Sequence, residues 1–258
     1  MSEQPWTAVL RPARGTRRGR VVVLSHSGAG PNALLPLLRR LPSGLEIVGV
    51  TLPGRERRFG EGLAALDDLG ATVAAVLGEL RAAVPLSTVL FGHSMGAAFA
   101  AALSLSAPEL CQGLVLSAYP TPETRAQQTE DWTEEDLLRI LELSGNTPHG
   151  ILGDLVLREH LLGVLRYDLT LGRRLATRIA GRRLPVAPIV LGGADDELVP
   201  PDKLDQWSTC AAVRPRLFPG GHFYLLDEAN LDAVAAEIAA ALPRTAGKAP
   251  VRPEDLSR

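Results

Sequence analysis

The chain has 258 residues, which suits one large domain or one domain carrying an inserted subdomain. Its 46% apolar content belongs to a globular protein rather than a disordered one, and a formal charge of −2 argues against a general nucleic-acid binder. Two distant cysteines, Cys111 and Cys210, make neither a CxxC pair nor a disulfide framework, so a cytoplasmic setting and packing roles are expected, and no run approaches the roughly 20 apolar residues of a membrane span.

Along the chain, the first residues lack the apolar segment of a signal peptide. A basic cluster from Arg11 to Arg20 reads as a solvated lead-in to "VVVLS". Short apolar runs then predict buried parallel strands at Val21–Leu24, Leu45–Val50, Thr88–Phe91, Leu114–Leu116, Ile189–Leu191 and Arg216–Phe218. Helical patterns cover Asn32–Leu41, Leu63–Val84, Ala97–Leu105 and Leu231–Leu242. Strands alternating with helices indicate an α/β fold with a mostly parallel central sheet flanked by helices. The alternation fails between Tyr119 and Leu184, where no strand is evident and Thr133 with Asp136 resembles a cap ahead of "LLRILEL". Residues 121–184 therefore read as a helical lid inserted into a core of residues 1–120 and 185–243, with 244–258 a loose tail.

The chemistry centres on Gly92-His93-Ser94-Met95-Gly96, a G-x-S-x-G pattern set between a strand and a helix. Such a turn strains the serine so that its hydroxyl projects above the strand end, and side chains at minus two and plus two would collide. Met95 opens the following helix, so its N–H lacks a helical partner and points where an oxyanion would form. A serine hydroxyl needs a base, and the base needs an orienting acid. Of the five histidines, His93 lies in the turn, His26 precedes the nucleophile, and His149 and His160 fall in the lid. His222, on a glycine-flexed loop after a strand, has the position of a base. The loop "GGADDELVPP" offers Asp195, Asp196 and Glu197 as the acid, which gives the order Ser…Asp…His. A second oxyanion N–H is expected from the Gly-rich loop after the first strand, at Ser27.

That loop also matches G-x-G-x-x-A from Gly28 to Ala33, the dinucleotide fingerprint of a dehydrogenase. The discriminator is an acid at the end of the next strand. Thr51 stands there instead, with Glu46 too early and Glu56 past the turn, so no cofactor and no metal are expected.

Taken together, "LSHSGAGP", "VTLPGRERR", "GHSMGA", "LGGADDELVPPDKLDQW" and "FPGGHFYL" resemble segments of the type II (editing) thioesterases of polyketide and nonribosomal-peptide synthesis, within the α/β-hydrolase superfamily. The resemblance runs from about Val21 to Leu242. Ser25 stands where the family has proline and Ala29 where it has glycine. The resemblance implies an α/β-hydrolase fold with a helical lid, Ser94 as nucleophile, His222 as base, and Asp196 as the acid among the three candidates. It also implies backbone N–H groups of Ser27 and Met95 as the oxyanion pair. The implied activity is hydrolysis of acyl thioesters from the phosphopantetheine arm of an acyl or peptidyl carrier protein, by a monomer. Arg55, Arg57 and Arg58, just past a strand end, are candidates for docking an acidic carrier. A carboxylesterase and a GHSxG acyltransferase are the alternatives; the acyltransferase carries an acid where Ala97 stands and lacks the late aspartate loop.

Overall fold

The apolar runs fold as β2 (Gly19–Leu24), β3 (Leu45–Val50), β4 (Thr88–His93), β5 (Gly113–Ser117), β6 (Ile189–Gly193) and β7 (Arg216–Phe218). The structure is a computed structural model that describes residues 4–127, 132–143 and 153–243, except the side chains of 209 and 210. A further strand, β1 (Thr7–Arg11), precedes them. The seven strands form one sheet in the order β1-β3-β2-β4-β5-β6-β7. β1 pairs antiparallel with β3, and every other pairing is parallel.

The long apolar runs follow from burial on both faces. Successive residues of a strand point to opposite sides. On β2, Val22 joins one apolar cluster while Val21 and Val23 join the other. The first cluster lies under α2 (Leu69–Ala82) and α3 (Met95–Ser106). Between β5 and β6 come α4 (Pro122–Ala126), α5 (Glu134–Leu143) and α6 (Leu155–Ile179). α7 (Pro201–Ala211) follows β6, and α8 (Leu231–Ala240) follows β7. The second cluster lies under α8 and the short α1 (Leu35–Leu38).

The helix expected over Asn32–Leu41 is a 3-10 turn, Pro31–Leu34, running into α1. α7 was not expected from the sequence, because its start on two prolines reads as loop. The Thr133 cap is formed: Thr133 Oγ1 accepts from the Asp136 amide at 3.2 Å, and the Asp136 carboxylate accepts from the Thr133 amide at 2.9 Å. α6 begins on Asp154, whose carboxylate accepts from the amides of Val156 and Leu157. It buries Leu171 and Leu175 in the cluster shared with α3 and sets Gly172 against Met95, while Leu165 and Asp168 are buried on the same helix. Leu137 and Leu141 of α5 meet Leu162 and Leu165 of α6 in a separate small cluster. The carboxyl ends of β2, β4, β6 and β7 thus face the α4–α6 segment.

Candidate active site

β4 ends at His93 and α3 begins at Met95, so Ser94 alone makes the turn, at φ +55° and ψ −122°. A non-glycine residue in that region is strained. The fold leaves it no alternative. A Cβ on Gly92 would stand 2.2 Å from the Gly96 carbonyl oxygen, and one on Gly96 would stand 2.2 Å from that of Leu24. Only a chain bare at both positions lets α3 come this close to β2 and β4. The Ser94 amide is fixed by donating to the Ser117 carbonyl at 2.8 Å.

The loop after β6 delivers the acid. Asp196 is 2% exposed and takes three hydrogen bonds: from the amides of Leu198 (2.8 Å) and Val199 (2.9 Å) on Oδ1, and from His222 Nδ1 (2.8 Å) on Oδ2. Its neighbours are used elsewhere. Asp195 Oδ2 accepts from the Gly220 amide, and Glu197 pairs with Arg139 on the surface. With Nδ1 committed to Asp196, His222 has Nε2 left for the reacting groups.

Ser94, His222, Ser27 and Met95 line one cavity of about 390 Å³. Its remaining wall is mainly apolar and comes from the ends of β5 and β6 and from α5 and α6, including Tyr119, Ile140, Leu169 and Leu198. A mainly apolar, partly open chamber, with Arg125 also in its wall, that holds a strained hydroxyl and an acid-held imidazole can support acyl transfer. Among the described residues, no group of histidine, cysteine and acidic side chains could hold a metal ion, and no helix is long and apolar enough to cross a membrane.

Comparison with known proteins agrees with this geometry. The model of the thioesterase domain family matches residues 20–242. The chain belongs to the thioesterase family. A probable cadicidin biosynthesis thioesterase from Streptomyces griseus is 32% identical over 231 residues, covering 86% of this chain and 62% of that relative. The chain thus spans less than two thirds of that relative's length. Thioesterase TesA of Mycobacterium leprae is 28% identical, over 84% of each chain. Among solved structures, the type II thioesterase BorB from the borrelidin biosynthetic cluster superposes with a TM-score of 0.70 at 27% identity, covering 94% of this chain and 100% of BorB. The type II thioesterase YbtT of the yersiniabactin pathway gives a TM-score of 0.76 at 22% identity, over 92% of this chain and 98% of YbtT, and so shares the fold. The sheet is that of an α/β-hydrolase.

Within this member of the thioesterase family, the three arginines stand differently from the expectation. Arg55 is 5% exposed and makes a bidentate ion pair with Asp168 of α6, whose side chain is fully buried. Arg58 is 2% exposed, binds Glu61 and the Thr51 carbonyl, and lies over the Trp6 ring. The docking expectation is corrected for both, since their guanidinium groups are spent inside the fold. Arg57 is half-buried and donates to Thr51 Oγ1 and the Pro5 carbonyl. Asp168 also accepts from the Gly28 amide at 2.7 Å, one residue past Ser27. The loop after β2, the Arg55 segment and α6 therefore meet on one carboxylate.

The other histidines divide clearly. His93 is fully buried, and its Nδ1 contacts Ser117 Oγ at 2.9 Å, which in turn contacts Tyr224 Oη at 2.7 Å. Burial, with His222 and His26 nearby, holds its pKa well below the usual imidazole value. His160 Nε2 contacts the Gly54 carbonyl at 2.7 Å, which is a packing role; His149 lies outside the described residues. His26 lines the cavity, a position the sequence reading did not assign. Burial first, then His222 and Arg55, push its pKa down to about 3, so it stays neutral beside His222.

Proposed function

We propose that this chain is a serine thioesterase that hydrolyses acyl groups from the phosphopantetheine arm of acyl or peptidyl carrier proteins, clearing stalled or aberrant intermediates in polyketide or nonribosomal-peptide synthesis. The observation that carries the reading is the strained Ser94 sharing a chamber with His222, whose Nδ1 is held by the buried Asp196. Membership of the thioesterase family and the biosynthetic relatives support the thioester and the carrier.

In this reading Ser94 Oγ attacks the thioester carbonyl while His222 Nε2 takes its proton. Asp196 keeps the proton on Nδ1 and stabilises the imidazolium that forms. The amides of Ser27 and Met95 donate to the developing oxyanion; one such donor is worth about 3 kcal/mol of barrier. The tetrahedral intermediate collapses, the C–S bond breaks, and His222 returns the proton to the departing thiol. Water, deprotonated by His222, then releases the free acid and restores Ser94. The α4–α6 segment serves as a lid that keeps bulk water from the acyl group.

The test is turnover of one acylated carrier protein against an oxygen ester of the same acyl group. The thioester is expected to be cleaved faster, and Ser94→Ala to lower its kcat by about 10³-fold or more. A faster oxygen ester identifies a carboxylesterase instead. Normal deacylation by Ser94→Ala ends the proposal.

A further inference from the structure

α6 holds a glycine, Gly172, in the middle of its buried face. Glycine weakens a helix interior relative to alanine, and the backbone at 172 is ordinary helix that any residue adopts. Its use there is spatial. Gly172 lines the chamber together with Ser94, Met95 and His222. A Cβ at 172 would stand 3.1 Å from Met95 Cγ and 3.6 Å from Met95 Cβ. The other glycine of α6, Gly163, has no heavy atom within 4 Å of an added Cβ, so it bears on nothing in the chamber.

The missing side chain therefore leaves the space against α6 to the side chain of Met95, the residue that follows Ser94, with the Arg125 guanidinium 3.9 Å from the added Cβ; a larger residue at 172 has to push that methionine aside next to Ser94. Other groups line the chamber elsewhere, among them Ile140 on α5. Width beside the carbonyl matters to the first carbons of an acyl chain, whereas depth matters to its length. We propose that Gly172 determines specificity by admitting acyl groups that are broad next to the thioester, namely α-branched acyl thioesters. This deepens the thioesterase reading above and rests on it.

The test uses the full chain and one carrier protein, loaded in turn with a straight acyl group and its α-methyl isomer of equal carbon number. The wild type is expected to hydrolyse the two with kcat/KM values within about threefold. Gly172→Val is expected to lower the branched-to-straight ratio by about tenfold or more, and Gly172→Ala by a few fold (about 3). The ratio within one preparation is insensitive to how much of it has folded. Should Gly172→Val fail to fold, Gly172→Ala decides. A wild type that rejects the branched isomer by about tenfold, or variants that keep the wild-type ratio, overturns the inference. So does a variant that loses long chains of both kinds equally, since that places Gly172 at the deep end. In those outcomes Ser94-dependent hydrolysis of the straight thioester persists and the thioesterase reading stands. No Ser94-dependent hydrolysis of either thioester defeats that reading and the inference with it.

Discussion

Ser94 is legible from five letters because its turn is a steric problem with few solutions. A Cβ on Gly92 or Gly96 would meet the carbonyl oxygen of Gly96 on α3 or of Leu24 on β2 at a distance no Cβ tolerates. Backbone oxygens cannot swing aside as a side chain can. Gly96→Ala is therefore expected to destabilise the fold by about 4 kcal/mol or more, or to prevent soluble folding, as measured by denaturant titration against the wild type. The acid was harder to read. Asp195, Asp196 and Glu197 are equivalent as letters, and the choice is made by which of them the amides of Leu198 and Val199 and the His222 ring surround. Resemblance supplied Asp196 where chemistry alone left three. His26 was not legible as a chamber residue, since a histidine at a strand end reads the same whether its ring faces a cavity or the core.

At the level of elements, the buried strands were plain because residues such as Val21, Val22 and Val23 are covered on both sides and must all be apolar. β1 was missed for the opposite reason. As an edge strand with Val9 more than half exposed, it presents no continuous apolar run. The "GRERR" segment misled because a basic run after a strand looks alike on a surface and in an internal ion pair; what decides is Asp168, more than a hundred residues away. That pair predicts a specific pattern of stabilities. Asp168→Ala strands the Arg55 guanidinium in the interior and should cost about 3–5 kcal/mol. Arg55→Met together with Asp168→Leu removes both charges and should be less destabilised than Asp168→Ala alone. A double-mutant cycle on urea midpoints measures the difference, and additive losses would show that the two side chains are uncoupled.

For the molecule as a whole, two buried imidazoles set a pH response. The folded-state pKa values of His26 and His93 lie below that of a free imidazole, about 3 for His26. The unfolded chain therefore binds more protons once the pH falls below about 6.5, and stability declines from there toward pH 3. His26 contributes a slope approaching about 1.4 kcal/mol per pH unit in that window, and His93 adds to it in the same direction. Thermal melts between pH 7.5 and 4.5 should show the decline, and His93→Gln should make it shallower; an unchanged slope would remove His93 from the account. The three-way junction on Asp168 has its own global consequence. Its carboxylate clasps the Gly28 amide and Arg55 at once, so α6 cannot swing outward without dismantling the loop that carries His26 and Ser27 into the chamber. α6 is thus a fixed wall of the chamber, whereas α5 is held to α6 by a small leucine-rich cluster and the partly exposed ion pair Arg158–Glu134, a looser attachment than a buried carboxylate.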